Sequence, residues 1–191
     1  MAETLSAEGL VRLAISVALA VAFVAIIVKC TSPLFAQADP TIPSFKSLTS
    51  VLKESEDWNV GDEKRISIEV SEGNALIGIT SGAQTLTAFY ESQLRTYTYA
   101  RPQSCSAGTT CVCRCNKIKQ DSVRSDLLYC ETVACEELSV PLSGTVGAPK
   151  FFGTPIVSDG FLLGGLIPRT GEFSVHIKKT ADGVAVCAQE C

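Results

Sequence analysis

The sequence predicts a mainly β protein, α+β overall. An N-terminal apolar helix is followed by a disulfide-stapled antiparallel β-sandwich-like head with one short amphipathic helix. Three observations carry that expectation. Residues 13–28, LAISVALAVAFVAIIV, hold no charge and are followed by Lys29. Later segments such as Ile66-Ser67-Ile68-Glu69-Val70 and Phe173 to Lys178 alternate apolar and polar residues, the period of a half-buried strand. Finally, Cys111-Val112-Cys113-Arg114-Cys115 sets three cysteines at alternate positions just after Thr109 and Thr110. On a strand all three sulfurs share one face. The expected division is residues 1–30 as lead and transmembrane or assembly helix, 31–43 as a linker with Pro33, Pro40 and Pro43, and 44–191 as an extracytoplasmic β domain.

Same-face neighbours on one strand lie about 7 Å apart, whereas disulfide-bonded Cβ atoms lie about 3.5–4.5 Å apart. Cys111, Cys113 and Cys115 therefore need partners among Cys105, Cys130, Cys135, Cys187 and Cys191, and the two cysteines left over pair together. Which bridge joins which stays open at this level. Nine cysteines and one histidine point to an oxidising compartment, and Cys-x-Cys-x-Cys lacks the spacing of a zinc site, so neither metal nor cofactor is expected. A net charge of −4 argues against nucleic acid, which calls for clustered Lys and Arg.

In chain order, residues 13–28 span about 24 Å as a helix, and Leu10, Val11 and a snorkelling Arg12 bring this to about 28 Å. A bilayer core is about 30 Å thick, so residues 10–28 are expected to enter a membrane before or instead of assembly. Ala36-Gln37-Ala38 offers a small-x-small cleavage site, but it stands far from the apolar run, and a retained helix is the expectation. Ala14, Ala18 and Ala22 form a small-residue ridge that suits close packing of helix copies. Cys30 is the odd cysteine.

Ser44 to Trp58 reads as the amphipathic helix, with Phe45, Leu48, Val51 and Leu52 on one stripe and a frayed acidic end at Glu54, Glu56 and Asp57. Ile66–Val70 and Ala75–Thr80 flank the turn Glu72-Gly73-Asn74 and read as a hairpin. Gln84–Tyr90 and Leu94–Tyr99 follow as strands. On the second, Arg95, Tyr97 and Tyr99 share a face that could stack a sugar or peptide. Asn116–Asp126 reads as an exposed loop, and Leu127–Cys130 and Cys135–Val140 as two short elements. The apolar stretch from Phe151 to Ile167 suits buried strands or an intersubunit patch. His176 falls on the outer face of the strand Glu172–Lys179, and Asp182-Gly183 turns into a final strand.

No nucleophile elbow, metalloprotease helix, phosphate loop or dinucleotide fingerprint occurs, so enzyme activity is not expected. The layout of residues 10–30 plus a β-rich disulfide head loosely resembles archaeal pilin-type and related single-pass surface proteins. That resemblance implies a non-enzymatic cell-surface structural protein: a filament subunit whose partners are copies of itself, with the N-terminal helices packed in the core. The rival expectation is a monomeric, membrane-anchored extracellular module that binds peptide or glycan at the Tyr97 and Tyr99 face.

Overall fold

The computed structural model describes residues 15–23, 39–90, 95–142, 156–158, 160–165 and 171–187. The chain divides into two units, Met1–Ala38 and Asp39–Cys191. In the first, residues 15–23 form a helix, α1, with every side chain exposed, Leu19 and Phe23 each to 67%. Among the described residues no helix is long and apolar enough to cross a membrane. Positions 10–14 and 24–28 of the expected span lie outside those residues, as do Cys30 and Cys191.

The second unit opens with α2 (Thr41–Glu54), which tightens into a 3-10 turn at Ser55–Asp57. Phe45, Leu48, Val51 and Leu52 are buried on the face that their three- and four-residue spacing defines. The rest is strand. A small antiparallel sheet runs in the order β1 (Glu63–Val70), β9 (Gly171–Thr180) and β10 (Gly183–Cys187). A larger sheet has the order β7-β3-β4-β6-β5-β2-β8. Its strands are β2 (Ala75–Ile79), β3 (Thr85–Tyr90), β4 (Arg95–Ala100), β5 (Thr110–Gln120), β6 (Leu127–Leu138), β7 (Ile156–Ser158) and β8 (Gly160–Gly164).

The expected hairpin of β1 with β2 does not form. β1 pairs with β9, while β2 lies between β5 and β8. The physical reason is burial. β2 is Ala-Leu-Ile-Gly-Ile, buried at all five positions, and needs a partner on each edge and cover on each face; β1 has a charged outer face and suits the small sheet. Two further expectations change. β5 runs on to Gln120 where a loop from Asn116 was expected, and Leu127 to Leu138 is one strand. The large sheet is also not wholly antiparallel, because β4 and β6 pair in parallel at Thr98↔Leu127 and Tyr99↔Leu128.

Nor is it a simple sandwich layer. β7 and β8, the two ends of the large sheet, are separated in the chain by Asp159 alone, so one short stretch pairs with β3 at one end and β2 at the other. The sheet thereby curls into a barrel. Its interior gathers Ala75, Ile77, Ile79, Leu86, Ala88, Tyr97, Tyr99, Cys115, Leu128 and Leu162. A second core joins α2, the small sheet and the outer barrel wall through Leu48, Leu52, Ile68, Val175, Leu76, Val112 and Phe161. Two glycines permit the closure. A Cβ on Gly160 (φ 153°) would lie 1.9 Å from the Gly78 carbonyl oxygen, and one on Gly78 would lie 2.1 Å from the Phe161 ring. Of the apolar stretch from Phe151 to Ile167, Phe161 to Leu163 are thus buried strand and not an intersubunit patch, while residues 151–155, 159, 166 and 167 lie outside the described residues.

A polar node ties the start of this unit to both sheets. Asp39 accepts hydrogen bonds from Thr41 N (2.9 Å), Ser71 Oγ (2.7 Å) and Asn74 Nδ2 (3.0 Å). Asn74 in turn accepts from Lys117 N at 3.1 Å, and its carbonyl accepts from Gly165 N at 2.9 Å. Burial pushes the Asp39 carboxyl up, but the Ser71 and Thr41 hydrogen bonds and the Arg114 charge outweigh it, so the pKa falls below the usual value. A depressed carboxylate pKa contributes stability above the unfolded-state pKa, and that stability is lost as pH falls through the folded-state value. Asp39→Asn is therefore expected to lower the denaturation midpoint at neutral pH. The gap to wild type should begin to narrow below about pH 4 and close only below the lower folded-state pKa, which equilibrium unfolding at neutral pH and across the acid range would read.

Candidate functional site

The three cysteines of β5 bond two segments: Cys111 bonds Cys105 in the preceding loop, and Cys113 and Cys115 bond Cys135 and Cys130, both on β6. All three are fully buried on one face, while Val112 between them faces the other core. Cys113 and Cys135 stand directly opposite in the β5–β6 ladder, with Cα atoms 4.0 Å apart. The Cys115–Cys130 bridge is a diagonal one, since Cys115 faces Val133 and Cys130 faces Ile118. Lys117, with φ 48°, makes that possible. The register is unchanged across it, but the two-residue alternation is broken in step on β5 and β6, so Ile118 and Cys130 turn towards the same interior as Cys115. Cys187 is also disulfide-bonded. Cys30 and Cys191, the cysteines not yet accounted for, lie outside the described residues.

Beside this cluster the chain 101–109 is organised by Arg101. Its guanidinium donates to the carbonyls of Thr80 (3.1 Å), Ala83 (2.8 Å), Cys105 (3.3 Å) and Ser106 (2.7 Å), and also to that of Thr109. Only a planar fork of five N–H donors can serve so many carbonyls at once. Its own N–H bonds Gln84 O at 2.9 Å, which turns the chain towards β3 and away from β6, and Pro102 then has no N–H with which to continue a ladder.

A gap in the barrel wall results. β4 and β6 part after Tyr99 and Leu128, and between them opens a cleft of about 330 Å³. Ile77, Tyr99 and Leu128 line it together with Pro102, Tyr129 and Val133. Tyr129 stands at the rim, 45% exposed. Sequence reasoning placed the ligand face elsewhere. Arg95 is exposed, but Tyr97 and Tyr99 point into the barrel and are buried, so the three form no surface face. Tyr99 reaches the cleft only from within. Tyr129 was missed because its neighbours in sequence are ordinary strand residues; Pro102, two residues after the end of β4, was the available signal.

His176 sits opposite Arg65 on the small sheet, where Arg65 Nε donates to His176 Nε2 at 2.6 Å. That bond occupies the lone pair a general base would use. Ala18 and Ala22 lie on α1 and are exposed, while Ala14 lies outside the described residues. Among the described residues no group of His, Cys, Asp and Glu is arranged to hold a metal ion.

Fold and site together define a mainly β domain, stapled by disulfides and therefore at home in an oxidising, extracellular environment. Set against family models, curated proteins and solved structures, the chain matches none of them.

Proposed function

We propose that the chain is a non-enzymatic cell-surface structural protein. Its apolar N-terminal helix anchors it in a membrane and then packs against copies of itself in a filament or similar surface assembly. The observation that carries this reading is the exposure of α1. Ile15, Val17, Leu19, Val21 and Phe23 are each more than half exposed, a load of apolar surface that water disfavours and that lipid or neighbouring helices cover. The bridged β domain supports the same reading, since an exported head needs staples that survive outside the cell.

Negative-stain microscopy of the protein extracted from membranes tests it. Filaments are expected, and Ala18→Phe should shorten them by blocking close helix approach while leaving thermal unfolding of the β domain unchanged. Solitary particles from the wild type would instead favour the anchored binding module, a reading that the apolar cleft beside Tyr129 supports.

A further inference from the structure

The gap beside β4 leaves β6 with one edge that no described residue pairs beyond Leu128. Cys113 and Cys135 are closer than the spacing of about 5.5 Å that marks a hydrogen-bonded antiparallel pair. The backbone N–H and C=O of Cys135, and by alternation of Val133 and Glu137, are thus directed away from β5, towards that edge. Side chains and chain from 104 to 106 lie beside it: Ser104 Oγ is 3.2 Å from Cys135 Sγ, and Ser106 N donates to Glu137 Oε1 at 3.1 Å. These contacts engage side chains and leave the strand's backbone groups unpaired among the described residues.

We propose that this edge and the cleft form a binding site for a short extended peptide of another protein. The peptide would pair with β6 as an added strand and seat one large apolar side chain in the cleft. Three features specify that occupant. First, a row of unpaired backbone donors and acceptors pairs with extended chain. Second, the cleft of about 330 Å³ lies where the missing strand's side chain would fall, is lined by Tyr99, Leu128, Tyr129, Val133 and Pro102, and thus takes an apolar group. Its size stands at the small end of ligand pockets, about 300–1,000 Å³, so it holds one side chain and not a large ligand. Third, the nearby charges are already engaged. Lys53 pairs with Glu136 and Lys117 and Lys119 pair with Glu131, while Glu137 accepts from Ser106 N and Arg101 donates to backbone carbonyls, so these charged side chains are held by the protein's own groups and the apolar lining selects the occupant. The gap is also preformed, because the Arg101 fork and Pro102 hold β4 away from β6 whether or not the site is filled. Peptide binding at this edge would involve the β domain alone and would not depend on filament assembly.

The test is selection of a displayed library of random heptapeptides on the full chain in detergent, followed by hydrogen exchange with one enriched synthetic peptide. The expected result is enrichment of sequences with a single aromatic or large aliphatic residue at a constant position. Binding should protect the amides of Val133 and Cys135, and should weaken at least about tenfold when that residue is replaced by Ser or when the peptide backbone is N-methylated. Val133→Trp, which fills the cleft from its exposed side, should abolish binding without shifting the thermal midpoint. Should that variant unfold, Tyr129→Ala takes its place, with weaker binding expected. No enrichment, N-methylated peptides that bind equally well, or protection elsewhere on the domain would overturn the proposal. Val133 and Cys135 amides that become protected with rising protein concentration alone would also overturn it, in favour of a second copy as occupant.

Discussion

Paired Cys→Ala variants of the three bridges are expected to lose stability in the order Cys113–Cys135, Cys115–Cys130, Cys105–Cys111. The bridges close segments of 22, 15 and 6 residues, and the loop-closure relation gives about 3.4, 3.0 and 2.2 kcal/mol respectively. For a domain of this size, each kcal/mol corresponds to a fall of about 2–4 °C in Tm. The first two bridges staple β5 to β6, so their removal should also speed exchange of β6 amides, whereas removing the third should loosen only the chain around Arg101. Denaturant titration of the oxidised proteins checks the order. Were the Cys105–Cys111 variant the least stable, loop closure would not be the governing effect.

Gly160→Ala is expected to cost more than about 3 kcal/mol, beyond the usual range for overpacking. The new Cβ would lie 1.9 Å from the Gly78 carbonyl oxygen and 2.9 Å from Leu86 Cδ1, and the φ of 153° strains any residue with a side chain. Backbone on one side and the barrel interior on the other leave the methyl nowhere to go. Gly78→Ala should cost less, about 1–3 kcal/mol. Its obstacle is the Phe161 ring, a side chain, and Phe161→Leu in the same molecule should recover part of the loss. Non-additivity in that double-mutant cycle is the signature of direct contact. If Gly160→Ala keeps wild-type stability, the edges of the large sheet are not joined as described.

Much of the local structure was legible in sequence because it rests on short-range periodicity. The stripe Phe45, Leu48, Val51 and Leu52 marked the buried face of α2, and Val175 and Ile177 marked the inner face of β9. Asp182-Gly183 marked the β9–β10 turn. The pairing of strands was not legible. Glu72-Gly73-Asn74 carries a hairpin signal, yet the Gly73 carbonyl accepts from Ile118 N at 2.8 Å, and β1 and β2 go to different sheets. A turn motif weighs only the residues beside it, whereas burial of all five residues of β2 involves strands distant in the chain.

The sequence by itself determined the class: a charge-free apolar run, a mainly β domain, and cysteines numerous enough to bridge it. The one-faced placement of Cys111, Cys113 and Cys115 followed from strand geometry alone. Their partners were decided only by tertiary structure, since a bridge depends on which strands meet, and the diagonal Cys115–Cys130 bond requires the left-handed backbone of Lys117. Tertiary structure likewise drew Tyr97 and Tyr99 into the barrel and opened the cleft at Tyr129. Alternation assigns residues to two faces of a strand, but which face meets water depends on how the sheet curls, and the curl comes from contacts such as Gly160 against Gly78 that span the chain.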